Sequence, residues 1–339
     1  MFKNKILKNN KIINFLLFSI LLIFCSKVLF NLLNHGSDFD IPYTLSKLFY
    51  QKIDIFEDIS RNPLYPHSLY ILFGPFTLFG LEVAKIIFFV INIILLLFTI
   101  FYLKKVFKLD INQTKIVILI SFTATPFTNL LAIGNLSIIV LFCLICYYYS
   151  KSKLFKSLFL LVSFFKYNVS FIFILYAFIN KEYKVLFYFA LLNLFFALCY
   201  YFYLDIYSFE RIFDPFFLAF ELIQGRGEVN NIGKSFFTLQ SILVNFGLNN
   251  LYPVIFAISL VLIFFIFKNL KIENHTKLVS LFLLSTVLVY HGMYEFVILL
   301  PFVAYVLKNR EYISYVSLHS CTIFFIFYFF KIKNVFFNN

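Results

Sequence analysis

Two carboxylates, Asp38 and Asp40, follow the first long apolar run of the chain. A carboxylate just beyond a membrane helix can act as a general base toward a hydroxyl when it is partly desolvated, because burial raises its basicity. A structural role fits the same spacing: Asp38 then caps the amphipathic stretch 41–50, and Asp40 is solvated. The pair also spells Asp-x-Asp, but two acids are a weak pattern for a metal site. The spacing alone therefore favours the structural role, leaves a general base as the alternative, and predicts no metal site.

Four basic side chains stand where an anion can be bound. Lys166 lies between two apolar runs, where a cation is costly unless it meets an anion or a watery cavity; it can also snorkel to the interface. His291 lies at a helix end, as either a structural donor or a phosphate ligand. Arg226 and Lys234 lie in a polar loop and can grip a phosphate or remain solvated. Arg226 and Lys234 are thus candidate phosphate ligands, and Lys166 and His291 are candidate functional cations.

The composition places these residues in a membrane protein. Of the 339 residues, 62% are hydrophobic and 13% are charged, whereas soluble domains are about half apolar and about a quarter charged. With 53 Phe and 23 Tyr, there is too little polar surface to cover the apolar side chains. At roughly 20 apolar residues per crossing, we predict an all-α polytopic membrane protein of about 10–12 transmembrane or re-entrant helices.

The whole chain, 1–339, is predicted to be one integral-membrane domain with two long polar loops, 34–63 and 205–235. Two short apolar segments flank Lys166 and are predicted to form a tight hairpin. No repeat or soluble domain interrupts the series. The apolar segments are 12–33, 66–80, 84–103, 116–132, 136–149, 154–165, 168–179, 184–204, 251–267, 276–290, 293–307 and 311–330.

The distribution of charge predicts which loops face the cytoplasm, because lysine-rich loops are retained on that side of a bilayer. The lysine-rich segments are 1–11, 104–115, 151–156, 181–184 and 268–277. They account for the net charge of +13 without a nucleic-acid partner. The two long polar loops are net acidic and are predicted to face outward. We expect a multi-pass protein of the cell (inner) membrane with a cytoplasmic N-terminus.

The stretch 66–80 decides whether this topology is consistent. If it crosses the membrane and 84–103 crosses as well, the lysine-rich loop 104–115 lands outside. The stretch is short and contains a Gly-Pro break, and a re-entrant segment is tolerated where protein or a watery cavity covers it. With a re-entrant segment, five polar clusters share the outer face. They are Asp38–Asp40, Gly134-Asn135, 166–168, the loop 205–235 and His291.

Six short motifs follow one another along the chain. They are Asp38-Phe39 with Tyr43, Tyr65-Pro66-His67, Gly134-Asn135-Leu136-Ser137, Lys166-Tyr167, Leu239-Gln240-Ser241, and Ser285 followed by His291. In the order and spacing of these motifs, residues 12–310 resemble glycosyltransferase family 87, polytopic enzymes of the GT-C superfamily. The chain departs from the family pattern at His67 and Tyr167, where the family has Pro, and at Asn135, where it has Gln. It also departs at Thr286 and Val289, where the family has Pro and Trp.

The resemblance implies a GT-C-like fold and transfer of a sugar, a mannose-like hexose, from a polyprenyl-phosphate donor to a hydroxyl of a lipid or glycan acceptor. The reaction would take place on the extracytoplasmic face among membrane lipids. A lipid-linked donor requires no nucleotide-binding domain, and we predict no cofactor. The implied roles are general base for Asp38 with Asp40 as second candidate, phosphate binding for Lys166, His291, Arg226 and Lys234, and substrate binding for Tyr43, Tyr65, His67, Asn135 and Gln240.

A secondary transporter or a flippase of lipid-linked glycans is the alternative function. Transporters tend to show internal repeats and charges near the middle of the bilayer. This sequence shows no repeat, and its ionisable clusters lie at the ends of apolar segments. A third alternative is a membrane scaffold that carries out no chemistry. It would not explain why the polar clusters share the outer face. Between the carboxylates we favour Asp38, which matches the Asp-Phe motif and lies closer to the first helix.

Overall fold

The computed structural model describes residues 10–218, 243, 247–269, 273–288 and 293–309. Within those ranges the regular structure is entirely helical, which confirms the predicted all-α class. By length and apolar composition alone, three helical stretches of the described residues are long enough to cross a membrane, and a bent pair can supply a fourth; one of the three, Lys153–Ile179, reverses direction at its middle, as shown below. The three are Leu81–Phe107, Lys153–Ile179 and Tyr183–Tyr203, and the bent pair is Ile111–Thr123 with Thr125–Ala132.

The α-helices are numbered here in chain order over the described residues. They are α1 (Asn10–Asn34), α2 (Asp40–Tyr50), α3 (His67–Leu72), α4 (Gly74–Thr77), α5 (Leu81–Phe107), α6 (Ile111–Thr123), α7 (Thr125–Ala132), α8 (Ser137–Tyr149), α9 (Lys153–Ser163), α10 (Tyr167–Ile179), α11 (Tyr183–Tyr203), α12 (Tyr252–Asn269), α13 (Asn274–Leu288) and α14 (Leu300–Lys308).

The long helices are apolar around their whole circumference, as expected where one side packs on protein and the other on lipid. Inside the bundle, Leu96 and Leu144 are fully buried, and the rings of Phe173 and Phe282 lie 5.0 Å apart. On the outside, large apolar side chains such as Phe98 are exposed. In water this exposed surface would cause aggregation, so the helices are suited to a bilayer.

Lysine-rich loops meet at one end of the bundle. Glu182 accepts a hydrogen bond from Lys156, which joins the start of α9 to the start of α11. The Tyr149 hydroxyl is 3.1 Å from Nδ1 of His275, and the ring of Phe107 lies 5.4 Å from the same imidazole. These contacts bring four lysine-rich segments together. We call this the lysine-rich end, formed by 104–115, 149–156, 180–185 and 273–277.

The first acidic loop lies at the opposite end, with three other polar turns. The backbone N–H of Asp38 donates to the carbonyl of Ile133 over 2.6 Å. The hydroxyl of Tyr167 donates to the carbonyl of Leu64 over 2.7 Å. An ion pair joins the loop 51–66 to the segment after α11, as described below. We call this the site end, formed by 35–40, 51–66, 133–136, 164–168 and 204–214.

The stretch 66–80 begins and ends at the site end. It contains the short helices α3 and α4, and α3 with six residues is about 9 Å long, against about 30 Å of hydrocarbon. The Tyr43 hydroxyl donates to the carbonyl of Phe79 over 2.8 Å, which holds the end of the stretch beside α2. The chain therefore turns back here, so that within residues 66–107 α5 is the one helix that runs from the site end to the lysine-rich end.

The stretch Lys153–Ile179 is a hairpin rather than one straight helix. Twenty-seven helical residues in line would separate its ends by about 40 Å. Instead Lys156, near its start, pairs with Glu182, just beyond its end. The 3₁₀ turn Phe164–Lys166 separates α9 from α10 and makes the reversal. Lys166 consequently lies at the tip of the hairpin, as the sequence predicts.

We expect a cysteine introduced at Ser60 to react with an impermeant thiol reagent in intact cells, and one at Ser152 to stay unlabelled. Both serines are exposed, at the site end and the lysine-rich end respectively, and the positive-inside rule puts lysines in the cytoplasm. The unmodified protein gives the background, since Cys25, Cys143, Cys146 and Cys199 lie within helices. Labelling at Ser152 and not at Ser60 would reverse the predicted topology.

Candidate active site

Phe39 anchors the first loop of the site end. Its side chain is completely buried, and its ring lies 4.7 Å from that of Phe88 on α5. Leu136 and Phe165 are buried in the same apolar cluster. Each of these three apolar residues stands next to a predicted site residue, so one aromatic cluster draws together the segments that carry Asp38, Asn135 and Lys166.

Asp38 is half-buried, and its carboxylate is oriented by Asn135. The side-chain amide of Asn135 donates from Nδ2 to Oδ2 of Asp38 over 2.6 Å. The opposite edge of that amide is fixed, because Oδ1 accepts from the backbone N–H of Ser137 at 3.0 Å and from its hydroxyl at 2.8 Å. Asn135 is 3% exposed. A buried amide therefore holds the carboxylate in one position.

Gly134 is required for the turn that brings Asn135 to Asp38. Its φ of +65° lies in the left-handed region, which residues with a Cβ rarely adopt. A Cβ built at this position would lie 2.9 Å from Cβ of Phe39. The close approach of the two backbone segments accounts for the Gly-Asn pair seen in the sequence.

Asp40 has a structural partner that sequence reasoning missed. Lys85, 4% exposed on α5, places Nζ 2.9 Å from Oδ1 of Asp40. The Asp40 carboxylate also accepts from the backbone N–H of Ser37 at 2.9 Å and from its hydroxyl at 2.8 Å. The sequence signal was one lysine inside an apolar run, where a cation requires a partner. Asp40 thus fixes the loop to α5.

Two predicted substrate-binding tyrosines lie in this part of the structure. Tyr43 is buried on α2 beside Phe39, with ring centroids 5.9 Å apart. Tyr65 is half-buried and packs against Tyr70. The hydroxyl of Tyr70 accepts a hydrogen bond from the backbone N–H of Tyr65 over 3.2 Å. Tyr43 supports the fold of the loop, whereas Tyr65 retains partial exposure. Substrate contact by either residue stays a prediction.

His67 lies in a second aromatic cluster of the site end. It is 5% exposed, and its ring centroid lies 4.8 Å from that of Phe56 and 4.9 Å from that of Tyr200. Burial, together with the smaller effect of the nearby Arg211 guanidinium, lowers the pKa of His67 to about 3. The imidazole is therefore neutral at physiological pH. It can offer a hydrogen bond but no positive charge to a substrate.

An ion pair joins the two acidic segments of the site end. Arg211 places Nη2 2.6 Å from Oδ2 of Asp54, which is 8% exposed. The hydroxyl of Tyr200 donates to Oδ1 of Asp54 over 3.1 Å, and Asp214 accepts from Nε of Arg211 over 2.9 Å. The sequence places these charges in the two acidic loops and does not indicate that they pair. The pairing closes one side of the site end.

Lys166 is 8% exposed at the tip of the α9–α10 hairpin. A buried lysine at the end of a membrane bundle is suited to an anion. Among the described residues, no group of three or more His, Cys, Asp and Glu side chains is arranged to hold a metal ion. Four of the predicted site residues lie outside the described residues: His291, Arg226, Lys234 and Gln240.

The family model for glycosyltransferase family 87 matches residues 64–300. This chain belongs to glycosyltransferase family 87. The match covers most of the chain and establishes a membrane glycosyltransferase in general terms. No curated protein and no solved structure matches the sequence. Asn135 and Lys166 of this family 87 enzyme lie inside the matched region, whereas Asp38 and Asp40 precede it.

Proposed function

We propose that this family 87 glycosyltransferase moves a mannose-like hexose from a polyprenyl-phosphate donor to a hydroxyl of a lipid or glycan acceptor. The reaction takes place at the site end, on the extracytoplasmic face of the cell membrane. The observation that carries the proposal is the half-buried Asp38 carboxylate, held by the Asn135 amide beside the Lys166 hairpin. Membership of the family favours sugar transfer over the transporter alternative.

In the proposed reaction Asp38 accepts the proton of the acceptor hydroxyl as its oxygen attacks the anomeric carbon. The bond between that carbon and the phosphate oxygen breaks, and the donor leaves as polyprenyl phosphate. The leaving group is already an acidic phosphate, so much of the catalysis can come from stabilising its charge. Lys166 supplies a positive charge at the site end, and His291, Arg226 and Lys234 are further candidates. The reaction is balanced, because the negative charge lost when Asp38 is protonated appears on the departing phosphate.

Asp38 suits the role of base better than Asp40 because of the partners of the two carboxylates. Asp40 is committed to Lys85 and Ser37, contacts that attach the loop to α5. Asp38 is oriented by the Asn135 amide, whose opposite edge is fixed by Ser137 at the position needed for a base. Proton transfer requires both correct placement and basicity. We therefore assign the proton transfer to Asp38 and an anchoring role to Asp40.

The proposal is tested by incubating the purified protein in detergent with polyprenyl-phosphate mannose, polyprenyl-phosphate glucose or the corresponding nucleotide sugars. A panel of lipid and glycan acceptors is supplied, and products are identified by mass spectrometry. We expect a glycosylated acceptor with a lipid-phosphate donor and none with a nucleotide sugar. Product formed from nucleotide sugars alone would contradict the proposed donor class.

Substitution of Lys166 by alanine is expected to raise the donor KM or lower kcat at least about tenfold, because charge-assisted bonds to a desolvated phosphate contribute a few kcal/mol. Initial rates across a donor concentration series measure both constants. Lys166→Arg retains the charge and should keep part of the activity. Lys105→Ala removes an exposed lysine at the other end and serves as the matched control. Unchanged constants in Lys166→Ala would exclude donor binding by this lysine.

A further inference from the structure

A cleft at the lysine-rich end takes no part in the proposed chemistry. It has a volume of about 680 Å³ and opens to the surface between the loop that joins α8 to α9 and the loop that joins α10 to α11. Among the residues that line it, Glu182 is the one acid. Five lysines line the same cleft: Lys151, Lys153, Lys156, Lys181 and Lys184.

The single acid of the cleft is already neutralised. Lys156 pairs with Glu182, and the hydroxyl of Tyr147 donates to the same carboxylate over 3.1 Å. The side chains of this pair are 15% and 22% exposed, whereas the other four lysines of the cleft are exposed. The helices α9 and α11 both begin at the cleft and add the positive ends of their dipoles. The cleft therefore attracts a polyvalent or phosphate-bearing anion.

An apolar surface continues directly from these lysines. Phe155 is 57% exposed on the first turn of α9, and Tyr183 and Phe187 on α11 are 55% and 60% exposed. A soluble anion would gain no binding free energy from an adjoining apolar surface. A phospholipid presents an anionic phosphate at the level of the headgroups and acyl chains beside the helices, and basic clefts between membrane helices suit such headgroups.

We propose that this cleft binds the headgroup of an anionic phospholipid. The phosphate contacts the four exposed lysines, and the acyl chains lie along Phe155 and Phe187. The cleft lies at the opposite end of the bundle from Asp38, so a lipid bound here is distinct from the sugar donor. Its binding is measured without sugar transfer, which keeps this proposal separate from the proposed function.

The test compares lipid retention by native mass spectrometry after equilibration in mixed micelles of phosphatidylglycerol and phosphatidylcholine. Two fourfold lysine-to-glutamine variants remove the same charge from the same end. The cleft variant changes Lys151, Lys153, Lys181 and Lys184. The control variant changes Lys104, Lys105, Lys108 and Lys115, which lie outside the cleft. A third protein carries arginine at the four cleft positions and keeps the charge.

We expect the wild type, the control variant and the arginine variant to retain phosphatidylglycerol over phosphatidylcholine. We expect the cleft variant to lose about tenfold or more of that preference, since each lysine near an anionic headgroup adds to the attraction. Equal losses in the cleft and control variants would show attraction by net charge alone and overturn the proposal. Retention in every variant would overturn it too. Complete displacement of the lipid by millimolar inorganic phosphate would assign the cleft to a soluble anion instead.

Discussion

Asp38→Asn is expected to lower the rate of sugar transfer by about two to four orders of magnitude, which is the usual cost of removing a general base. The substitution keeps the shape of the side chain. Asparagine Oδ1 can still accept the Asn135 Nδ2 bond that now ends on Asp38. Phe39 and its aromatic cluster are untouched, so the loop should keep its position. The loss should therefore appear in kcat while the protein folds and binds donor normally.

Single-turnover transfer assays and donor-binding titrations measure the two quantities separately. Asn135→Ala is the companion variant, because it removes the group that orients the carboxylate and leaves the carboxylate in place. We expect it to cost less than Asp38→Asn. If Asp38→Asn turns over at a near-normal rate, another group accepts the proton. If Asp40→Asn then loses all transfer per folded molecule, that group is Asp40.

Asp40→Asn is expected to destabilise the folded protein by about 2 to 4 kcal/mol, because it leaves the buried ammonium group of Lys85 without its counter-charge. The magnitude lies toward the lower part of the range for buried pairs, since the Asp40 side chain is 29% exposed. From the sequence alone, substitution of Asp40 is expected to reduce sugar transfer much less than substitution of Asp38. The structure limits that expectation to the chemistry per folded molecule, because the ion pair was invisible in the sequence.

Thermal unfolding in detergent and the yield of monodisperse protein report this loss. The decisive control is the double variant Asp40→Asn with Lys85→Met, which removes both charges and keeps an apolar side chain of similar length. We expect it to recover most of the stability, as replacement of a buried ion pair by apolar groups is often tolerated. Full stability of Asp40→Asn alone would mean that Lys85 finds water or another acceptor.

Local patterns in the sequence predicted much of this fold. Runs of apolar residues required helices, and a polar break at Lys166 between two short runs required a reversal that matches the α9–α10 hairpin. The Gly134-Asn135 pair predicted a turn, and the left-handed φ of Gly134 gives the physical reason. These features depend on neighbours in the chain, so period, length and turn chemistry suffice to predict them.

Partners distant in the chain could not be predicted in the same way. Lys85 with Asp40, and Asp54 with Arg211, become neighbours through the packing of separate helices and loops. His67 shows the same limit: the family resemblance implied substrate contact, whereas tertiary packing buries its ring among aromatic side chains. Without the helix arrangement, a charge in a loop has the same appearance whether it is solvated or paired.

The shortness of three central helices has a consequence for the stability of the donor itself. The helices α8, α9 and α10 contain 13, 11 and 13 residues, or about 16 to 20 Å of length, against about 30 Å of hydrocarbon. Their site ends, which carry Asn135 and Lys166, therefore lie below the level of the surrounding bilayer surface unless the bilayer thins around them. The hydrocarbon region of a bilayer at that depth holds almost no bulk water. In the proposed reaction, a donor sugar phosphate that enters this recess is shielded from hydrolysis until an acceptor hydroxyl arrives, so the membrane itself would suppress the wasteful reaction.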